Sequence, residues 1–469
     1  MNSSSLIELY KFLTPADKKS LKKFVRSPFY NQREDVIALF DYLEKYADTE
    51  PLKLAKEKVF EAVYPNQLYN VDAMYFIMSA LTQLINKFLT ITEMESKETE
   101  KKLLLIEALK KRGAEKFTEK TLTEANQQLD KQKLRNAEYH YLKYKIRYTE
   151  FELNHWKKRN DDFEIQEMVD DFHLYAISEI FKLSYTAYSH KSISKKEYIL
   201  PLLDSVLLID NNYLIQPSVA SRFFSYKLSV GDLQNKSDVG IFENLKNMVL
   251  NQPDYFDRNE LQDLYRNCIN YCVRKQNYGE LSFVKEALDL YEDGLSKKIL
   301  LEDETISALT YRNINMLALK INDFDFAEKF LLKYKQFLPE PERDNVFQYA
   351  MGVFYFRKGL PEKALNILMR INTRDTFISL DTRRLLARIF YELNQIKSLQ
   401  SHIETSKVYL HRHKDMGYGK EAYTNFFKFL EAVLNSDIKT KAERAKIVEN
   451  IKAAKLCAER DWLVTLIKV

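Results

Sequence analysis

Cysteine and histidine side chains are the first candidates for chemistry, since they bind metals and activate nucleophiles. Cys268 and Cys272 are four residues apart, so on a helix they would share one face. No second Cys or His pair has the spacing of a zinc site, and the third cysteine, Cys457, is far along the chain. A free buried cysteine behaves as a small apolar residue, so we interpret this pair as packing residues.

The other reactive residue types do not form an active-site pattern either. His411 and His413 are two residues apart and would point in different directions on a helix. The sequence contains no HExxH, no glycine-rich phosphate loop and no Gly-x-Ser-x-Gly elbow. Its carboxylates lie among lysines at helical spacing, which is typical of solvated helix faces. We therefore expect a protein that is not an enzyme, with no catalytic residue, no cofactor and no metal.

The glycine content indicates which elements are available to position any site. The chain has 9 glycines in 469 residues, where average usage of about 7% would give roughly 33. Glycine supplies the positive φ angles of tight turns, bulges and phosphate loops. A chain with so few is a poor candidate for nucleotide-binding α/β folds or β-rich folds, and it favours helices joined by short turns.

The composition also restricts location and partners. Hydrophobic residues make up 45% of the chain and the net charge is +5, which favours a sizeable core without a strongly basic surface. An odd count of three cysteines suggests a reducing compartment. The N-terminal residues lack the pattern of a signal peptide, and no apolar stretch approaches 18 residues. We expect a cytoplasmic protein with no membrane partner.

Turn and capping signals divide the chain into three regions. These are an N-terminal helical region (1–95), long helical hairpins (96–255) and a regular C-terminal part (256–469). Thr14-Pro15-Ala16-Asp17 predicts a helix start. One very long helix is predicted from about Thr121 to Arg159, with a partner from about Phe163 to Ser189. In the C-terminal part, predicted turns centre on Asn277, Asn322, Gly359 and Asn394.

One stretch of the C-terminal part, YAMGVFYFRKGLPEKAL (Tyr349–Leu365), carries a recognisable pattern. Its Met351-Gly352, Tyr355, Gly359 and Ala364 resemble the fixed positions of a tetratricopeptide repeat, a 34-residue helix–turn–helix unit. Thr310–Pro339 fits the same pattern, and the segment around Leu386–Ile403 fits it less well. The resemblance implies an all-α protein, an α-solenoid of antiparallel helical hairpins wound as a right-handed superhelix.

The two ends of the chain carry a second resemblance. LTPADKKSLKKFVRSPFYN near the start and AERDWLVTLIKV at the end are similar to an uncharacterised family of bacterial helical-repeat proteins. That resemblance implies a bacterial chain and adds no activity. Trp462 and Leu463, in the last predicted helix, are expected to cover the final apolar face.

The repeat resemblance also implies where a partner binds. In tetratricopeptide repeats the first helix of each unit lines a concave groove, and the matching positions here are basic and aromatic. They predict a non-catalytic scaffold or adaptor that binds a protein or peptide segment, of acidic character, through arginine–carboxylate pairs and aromatic anchors. The predicted partner-binding residues are Arg312, Lys320, Tyr349, Phe356, Arg357, Arg384, Arg388 and Tyr391.

A second hypothesis is a nucleic-acid-associated regulator that uses the basic, aromatic segment Tyr139–Arg159. Lysines and arginines alternate there with Tyr144, Tyr148 and Trp156, and such a mixture can hold phosphates and stack bases. The competing interpretation is that Tyr141, Tyr144, Tyr148 and Phe151, at spacings of three or four, form the buried stripe of a long helix.

Overall fold

The computed structural model describes residues 4–48, 50–154, 165–194, 196–208, 213–231, 237–373, 375–413, 419–435 and 440–467. The chain divides into two compact units. Unit 1 comprises the described residues of Met1–Lys133 and Glu138–Tyr175, and unit 2 those of Leu134–Ala137 and Ala176–Val469. In the described residues the secondary structure is helical, apart from one isolated bridge between Glu302 and Thr305. The all-α prediction is therefore confirmed for this part of the chain.

In the described residues, nine α-helices lie wholly or partly in unit 1. They are α1 (Ser5–Phe12), α2 (Pro15–Val25), α3 (Glu34–Tyr46), α4 (Lys56–Val63), α5 (Val71–Ser96), α6 (Glu98–Lys110), α7 (Glu115–Lys131), α8 (Ala137–Asn154) and α9 (Ile165–Ser194), with a 3-10 helix at Pro51–Leu54. The predicted cap of α2 is present as a capping box, in which the Thr14 side chain accepts a hydrogen bond from the Asp17 N–H at 3.1 Å. Its partner bond runs from the Thr14 N–H to the Asp17 carboxylate at 3.0 Å.

Helix α5 is the longest apolar element of unit 1. Its face of Met74, Ile77, Leu81 and Ile85 is fully buried, in a core shared with α1, α2, α3 and α4. By length and composition alone α5 could also cross a membrane, with an 18-residue window of mean hydropathy 1.2. A helix buried in a protein core can have the same length and apolar composition.

The predicted helix from Thr121 to Arg159 is wrong in one respect, because the structure divides it into α7 and α8. Between them, Leu134–Ala137 belong to unit 2, where the Arg135 N–H donates to the Tyr255 carbonyl at 2.9 Å. The Asn136 amide donates to the Asp257 carboxylate at 3.3 Å. These bonds to a segment about 120 residues away replace the helical bonds that local sequence favours. Residues 155–164, which include the end of the predicted helix, lie outside the described residues.

Unit 2 contains the remaining helices. They are α10 (Leu203–Leu207), α11 (Pro217–Val230), α12 (Ser237–Asn251), α13 (Arg258–Asn277), α14 (Ser282–Ser296), α15 (Ala308–Lys320), α16 (Phe324–Tyr334), α17 (Arg343–Arg357), α18 (Pro361–Leu368), α19 (Thr376–Glu392), α20 (Ile396–Arg412), α21 (Gly419–Leu434), α22 (Lys441–Ala453) and α23 (Arg460–Thr465). Short 3-10 helices lie at Tyr213–Ile215, Pro253–Tyr255 and Lys335–Phe337.

Successive helices of unit 2 pack in pairs. Helix α15 contacts α16 and also α17, and α17 contacts α18 and α19 in the same way. The turns within these pairs use positive φ at Asn322 (59°), Gly359 (78°) and Asn394 (53°), as the turn signals predict. At the fourth predicted turn, α13 runs through to Asn277, and Gly279 takes the positive φ of 97° instead.

Candidate functional site

Six of the eight predicted partner-binding residues line one cavity of about 220 Å³, which we call the Arg384 cavity. It is formed by α15, α17 and α19 together with Glu459, the residue before α23. The six are Arg312, Tyr349, Phe356, Arg357, Arg384 and Arg388. The other two do not line it. Lys320 donates to the Gln276 side-chain oxygen at 2.6 Å, and the Tyr391 ring packs edge-on against Trp462.

Three of the arginines are already paired with carboxylates of this chain. Arg312 forms an ion pair with Asp381. Arg384 forms ion pairs with both Asp381 and Glu459, and Arg388 donates to Glu459 at 2.8 Å. Burial by itself would lower the pKa of Arg384, but Tyr349 and the carboxylates of Asp381 and Glu459 raise it above its usual value. Asp381 and Glu459 therefore pair with these three arginines within the chain.

Sequence reasoning missed Glu459, which follows Arg384 by 75 residues. Its backbone is left-handed, with φ 53° and ψ 32°, a conformation that costs a non-glycine residue about 1–2 kcal/mol. The neighbouring α23 places Trp462 so that the Arg388 guanidinium lies 5.0 Å from its ring centre. The guanidinium also lies 5.1 Å from the Phe356 ring centre. A left-handed residue held between two arginines is consistent with strain concentrated at a binding site.

Arg357 differs from the other arginines of the cavity. It is exposed and donates to the Leu319 carbonyl at 3.2 Å, and no carboxylate among the described residues lies within 4 Å of it. Next to it are Phe356 and, on α15, Met316, which is 50% exposed. Leu319, whose carbonyl accepts the hydrogen bond from Arg357, is itself buried at 1% exposure.

The lining of the Arg384 cavity is positively charged overall. Its four arginines face two carboxylates, Asp381 and Glu459, which leaves an excess of two positive charges. Tyr349 is buried at 5% exposure beneath the guanidinium of Arg312, 4.8 Å from its ring centre. Tyr349 therefore supports an arginine more than it offers surface to a partner.

In the segment proposed for nucleic acid, Lys143 and Arg147 bind partners within unit 1. Lys143 is buried and donates to Asp130 and Asn126 at 2.6 and 2.7 Å. Arg147 forms ion pairs with Glu167 and Asp171 of α9. Residues 155–159 of the proposed surface lie outside the described residues.

The predicted buried tyrosine stripe of the same helix is wrong. Leu142 and Ile146 form the buried face of α8, whereas Tyr141 and Tyr148 are each 39% exposed. Tyr141 and Tyr144 pack instead against rings of α9, at 5.0 Å from Tyr175 and 5.2 Å from Phe172. The side chains of α9 cover these tyrosines only in part, because they do not face the core.

The cysteines occupy packing positions, as the sequence suggests. Cys268 and Cys272 are fully buried in the core of unit 2, and burial raises the pKa of both thiols. In the described part of the chain, no group of three or more His, Cys, Asp or Glu side chains has the arrangement of a metal site.

No protein-family model, curated protein or solved structure matches the chain. The functional argument therefore depends on the geometry of the site.

Proposed function

We propose that the protein is a non-catalytic, cytoplasmic interaction scaffold that binds an acidic segment of a partner protein in the Arg384 cavity. The proposal includes the finer architecture, a tetratricopeptide-like α-solenoid with α15, α17 and α19 lining its groove. The regular packing of α15, α17 and α19 on one another, each followed by its paired helix, supports that architecture.

The observation that carries the proposal is the arginine-rich lining with carboxylates already seated in it. Arg384 and Arg388 share Glu459, so this pair is arranged to receive a carboxylate. Arginine forms charge-assisted hydrogen bonds with carboxylates that are about twice as strong as neutral ones. The excess positive charge of the lining would also attract an acidic segment during encounter.

The partner segment would bind first at the Arg357 end of the cavity. Arg357 offers a guanidinium without a carboxylate partner among the described residues, while Phe356 and the exposed Met316 offer apolar surface. A partner segment with an acidic residue followed by a large apolar residue would pair with Arg357 and cover the apolar surface of Phe356 and Met316. Arginine and aromatic residues of this kind dominate the energetics of many interfaces.

The test is capture of partners from native lysate by the wild-type protein and by Arg357→Glu, with and without nuclease. The matched control is Arg370→Glu, which reverses another exposed arginine outside the cavity. Both positions are on the surface, so stability should change by less than about 0.5 kcal/mol. We expect Arg357→Glu to lose partners that Arg370→Glu retains, with affinity reduced roughly 10- to 100-fold, for the loss of about 1.5–3 kcal/mol from a charged hydrogen bond.

Equal capture by both variants would reject the cavity as the binding site. Capture that disappears with nuclease would favour the nucleic-acid hypothesis. Charge reversal of Arg384 and Arg388 is unsuitable as a test because the new carboxylates would face Glu459 and disturb the fold.

A further inference from the structure

A second cavity of unit 2 has a different character from the Arg384 cavity. It has a volume of about 380 Å³ and lies between α9, α11 and α13. We call it the Asn267 pocket. Its polar lining residues include Tyr185, Tyr188, Ser225, Asn267, Asn270 and Arg274. Its volume lies within the range of about 300–1,000 Å³ that is typical of small-molecule sites.

Two buried residues of the lining, Asn267 and Ser225, carry side-chain polar atoms without hydrogen-bond partners among the described residues. Asn267 is 4% exposed, and both its amide nitrogen and its amide oxygen lack a hydrogen-bond partner among the described residues. Ser225 on α11 is 1% exposed, and its hydroxyl also lacks a hydrogen-bond partner among the described residues. An unsatisfied buried polar group costs about 1–3 kcal/mol, so two such side chains in the lining of one cavity lower the stability of the ligand-free protein.

The wall of the Asn267 pocket supplies one cation. The Arg274 guanidinium donates to the carbonyls of Leu228 and Ser229 at the end of α11, the latter at 3.2 Å. Burial lowers the pKa of Arg274, although an arginine remains protonated. The described lining residues include no Asp or Glu, so Arg274 is the charged group of that lining.

The donors and acceptors together define the ligand. A primary amide offers one donor and one acceptor side by side, which matches the N–H and C=O of a second amide. The Arg274 guanidinium matches a carboxylate. At the outer edge, Tyr188 is 37% exposed and Asn270 is exposed, so the pocket opens to solvent there.

We propose that the Asn267 pocket binds an amide-linked carboxylate, with the ligand amide paired to Asn267 and Ser225 and its carboxylate held by Arg274. The same chemistry occurs in a small N-acylated amino acid and in the C-terminus of a peptide chain. The site is separate from the Arg384 cavity and does not depend on the scaffold function.

The first measurement is the binding of N-acetylglycine to the full-length protein. Saturation-transfer NMR and the shift in the thermal midpoint of unfolding both report that binding. N-acetylglycinamide, which has the amide but no carboxylate, is the comparison ligand. We expect N-acetylglycine to bind at least 10-fold more tightly than N-acetylglycinamide. A hexapeptide ending in a free glycine carboxylate distinguishes the two sources. If the hexapeptide binds as tightly as N-acetylglycine, the natural ligand is the C-terminus of a peptide chain. If the hexapeptide does not bind, the natural ligand is a small N-acylated amino acid.

The variants separate binding from folding. Asn267→Leu replaces the unpartnered amide by an apolar group of similar shape. It should abolish binding of N-acetylglycine while raising the thermal midpoint of the ligand-free protein by about 2–4 °C. If Asn267 had a purely structural role, Asn267→Leu would lower the thermal midpoint of the ligand-free protein.

Ser225→Ala and Ser218→Ala form a matched pair on α11. Both remove a buried hydroxyl that has no partner among the described residues, but only Ser225 lines the Asn267 pocket. We expect Ser225→Ala to weaken binding at least 5-fold and Ser218→Ala to leave it unchanged. The proposal is overturned if N-acetylglycine fails to bind wild-type protein, or if it binds Asn267→Leu as tightly.

Discussion

At the scale of single residues, His402 provides a pH-dependent contribution to stability. Its ring nitrogen Nε2 lies 2.8 Å from the Arg383 carbonyl oxygen, and the ring packs 5.5 Å from that of Phe390 and 6.4 Å from that of Phe427. Burial lowers the pKa of His402 below its usual 6.5, although the bond to Arg383 acts in the opposite direction. The neutral ring, with Nε2–H as donor, fits this environment.

The sign of the pH dependence follows from that lowered pKa. Just below pH 6.5 the unfolded chain binds a proton at His402 and the folded chain does not, so stability falls as the pH falls through this range. We predict that His402→Gln, which cannot titrate, reduces the loss of urea midpoint between pH 7.5 and pH 5.5. His411→Gln, at an exposed position, should behave as wild type. Identical pH profiles for His402→Gln and wild type would contradict the assignment.

The sequence predicts the arginines of the Arg384 cavity but not the carboxylates that pair with them. Arg312, Arg384 and Arg388 were predictable because a helical repeat sets which positions share a face. Asp381 lies on α19 with Arg384, but Glu459 comes from a segment 71 residues beyond Arg388. No local pattern specifies such a distant pairing. Glycine or asparagine usually marks a left-handed backbone position in a sequence, but here the residue is a glutamate. The unpartnered amide of Asn267 is likewise visible only once the surrounding helices are in place.

At the scale of elements, Gly352 sets the distance between α17 and α18. A Cβ atom at Gly352 would lie 2.4 Å from Leu368 Cδ2 and 2.5 Å from its Cγ, too close for any real contact. We predict that Gly352→Ala lowers the thermal midpoint, since overpacking of this kind costs about 1–3 kcal/mol and exceeds the gain in helix propensity of about 1 kcal/mol.

Gly240 in α12 is the matched control for this prediction. A Cβ there has no neighbouring atom within 4 Å among the described residues, so Gly240→Ala should raise the midpoint slightly through propensity alone. Leu368→Ala added to Gly352→Ala should restore part of the loss, because it removes the atoms that clash. Equal midpoints for the two alanine variants would show that the helices separate without cost.

Several helix ends were predictable because capping and turn signals are local. The Thr14 capping box and the turns at Asn322, Gly359 and Asn394 depend only on residues a few positions apart. The interruption between α7 and α8 was not predictable. It contains no glycine or proline, and its hydrogen bonds go to Tyr255 and Asp257 in unit 2. Tertiary bonds outweighed local propensity there.

At the scale of the whole molecule, Glu459 and an acidic partner would compete for the same arginines. The chain brings Glu459 to Arg384 and Arg388 at high effective concentration, so a partner carboxylate must displace it to reach them. With a competitor in the chain, the apparent affinity equals the intrinsic affinity multiplied by the fraction of time that the site is free. The affinity of the scaffold would therefore depend on the segment that includes Glu459 as well as on the lining of the cavity.

Glu459→Gln tests this competition, because it keeps the shape of the side chain and removes its charge. The variant should be less stable by about 1 kcal/mol, since the ion pairs it loses are partly buried. At the same time it should capture more of the partner lost by Arg357→Glu, because Arg384 and Arg388 become available to the partner carboxylates. The measurement is capture at limiting partner concentration, with the urea midpoint recorded for the same samples. Lower stability without greater capture would mean that the partner binds only at the Arg357 end, and that Glu459 serves to hold the C-terminal segment in place.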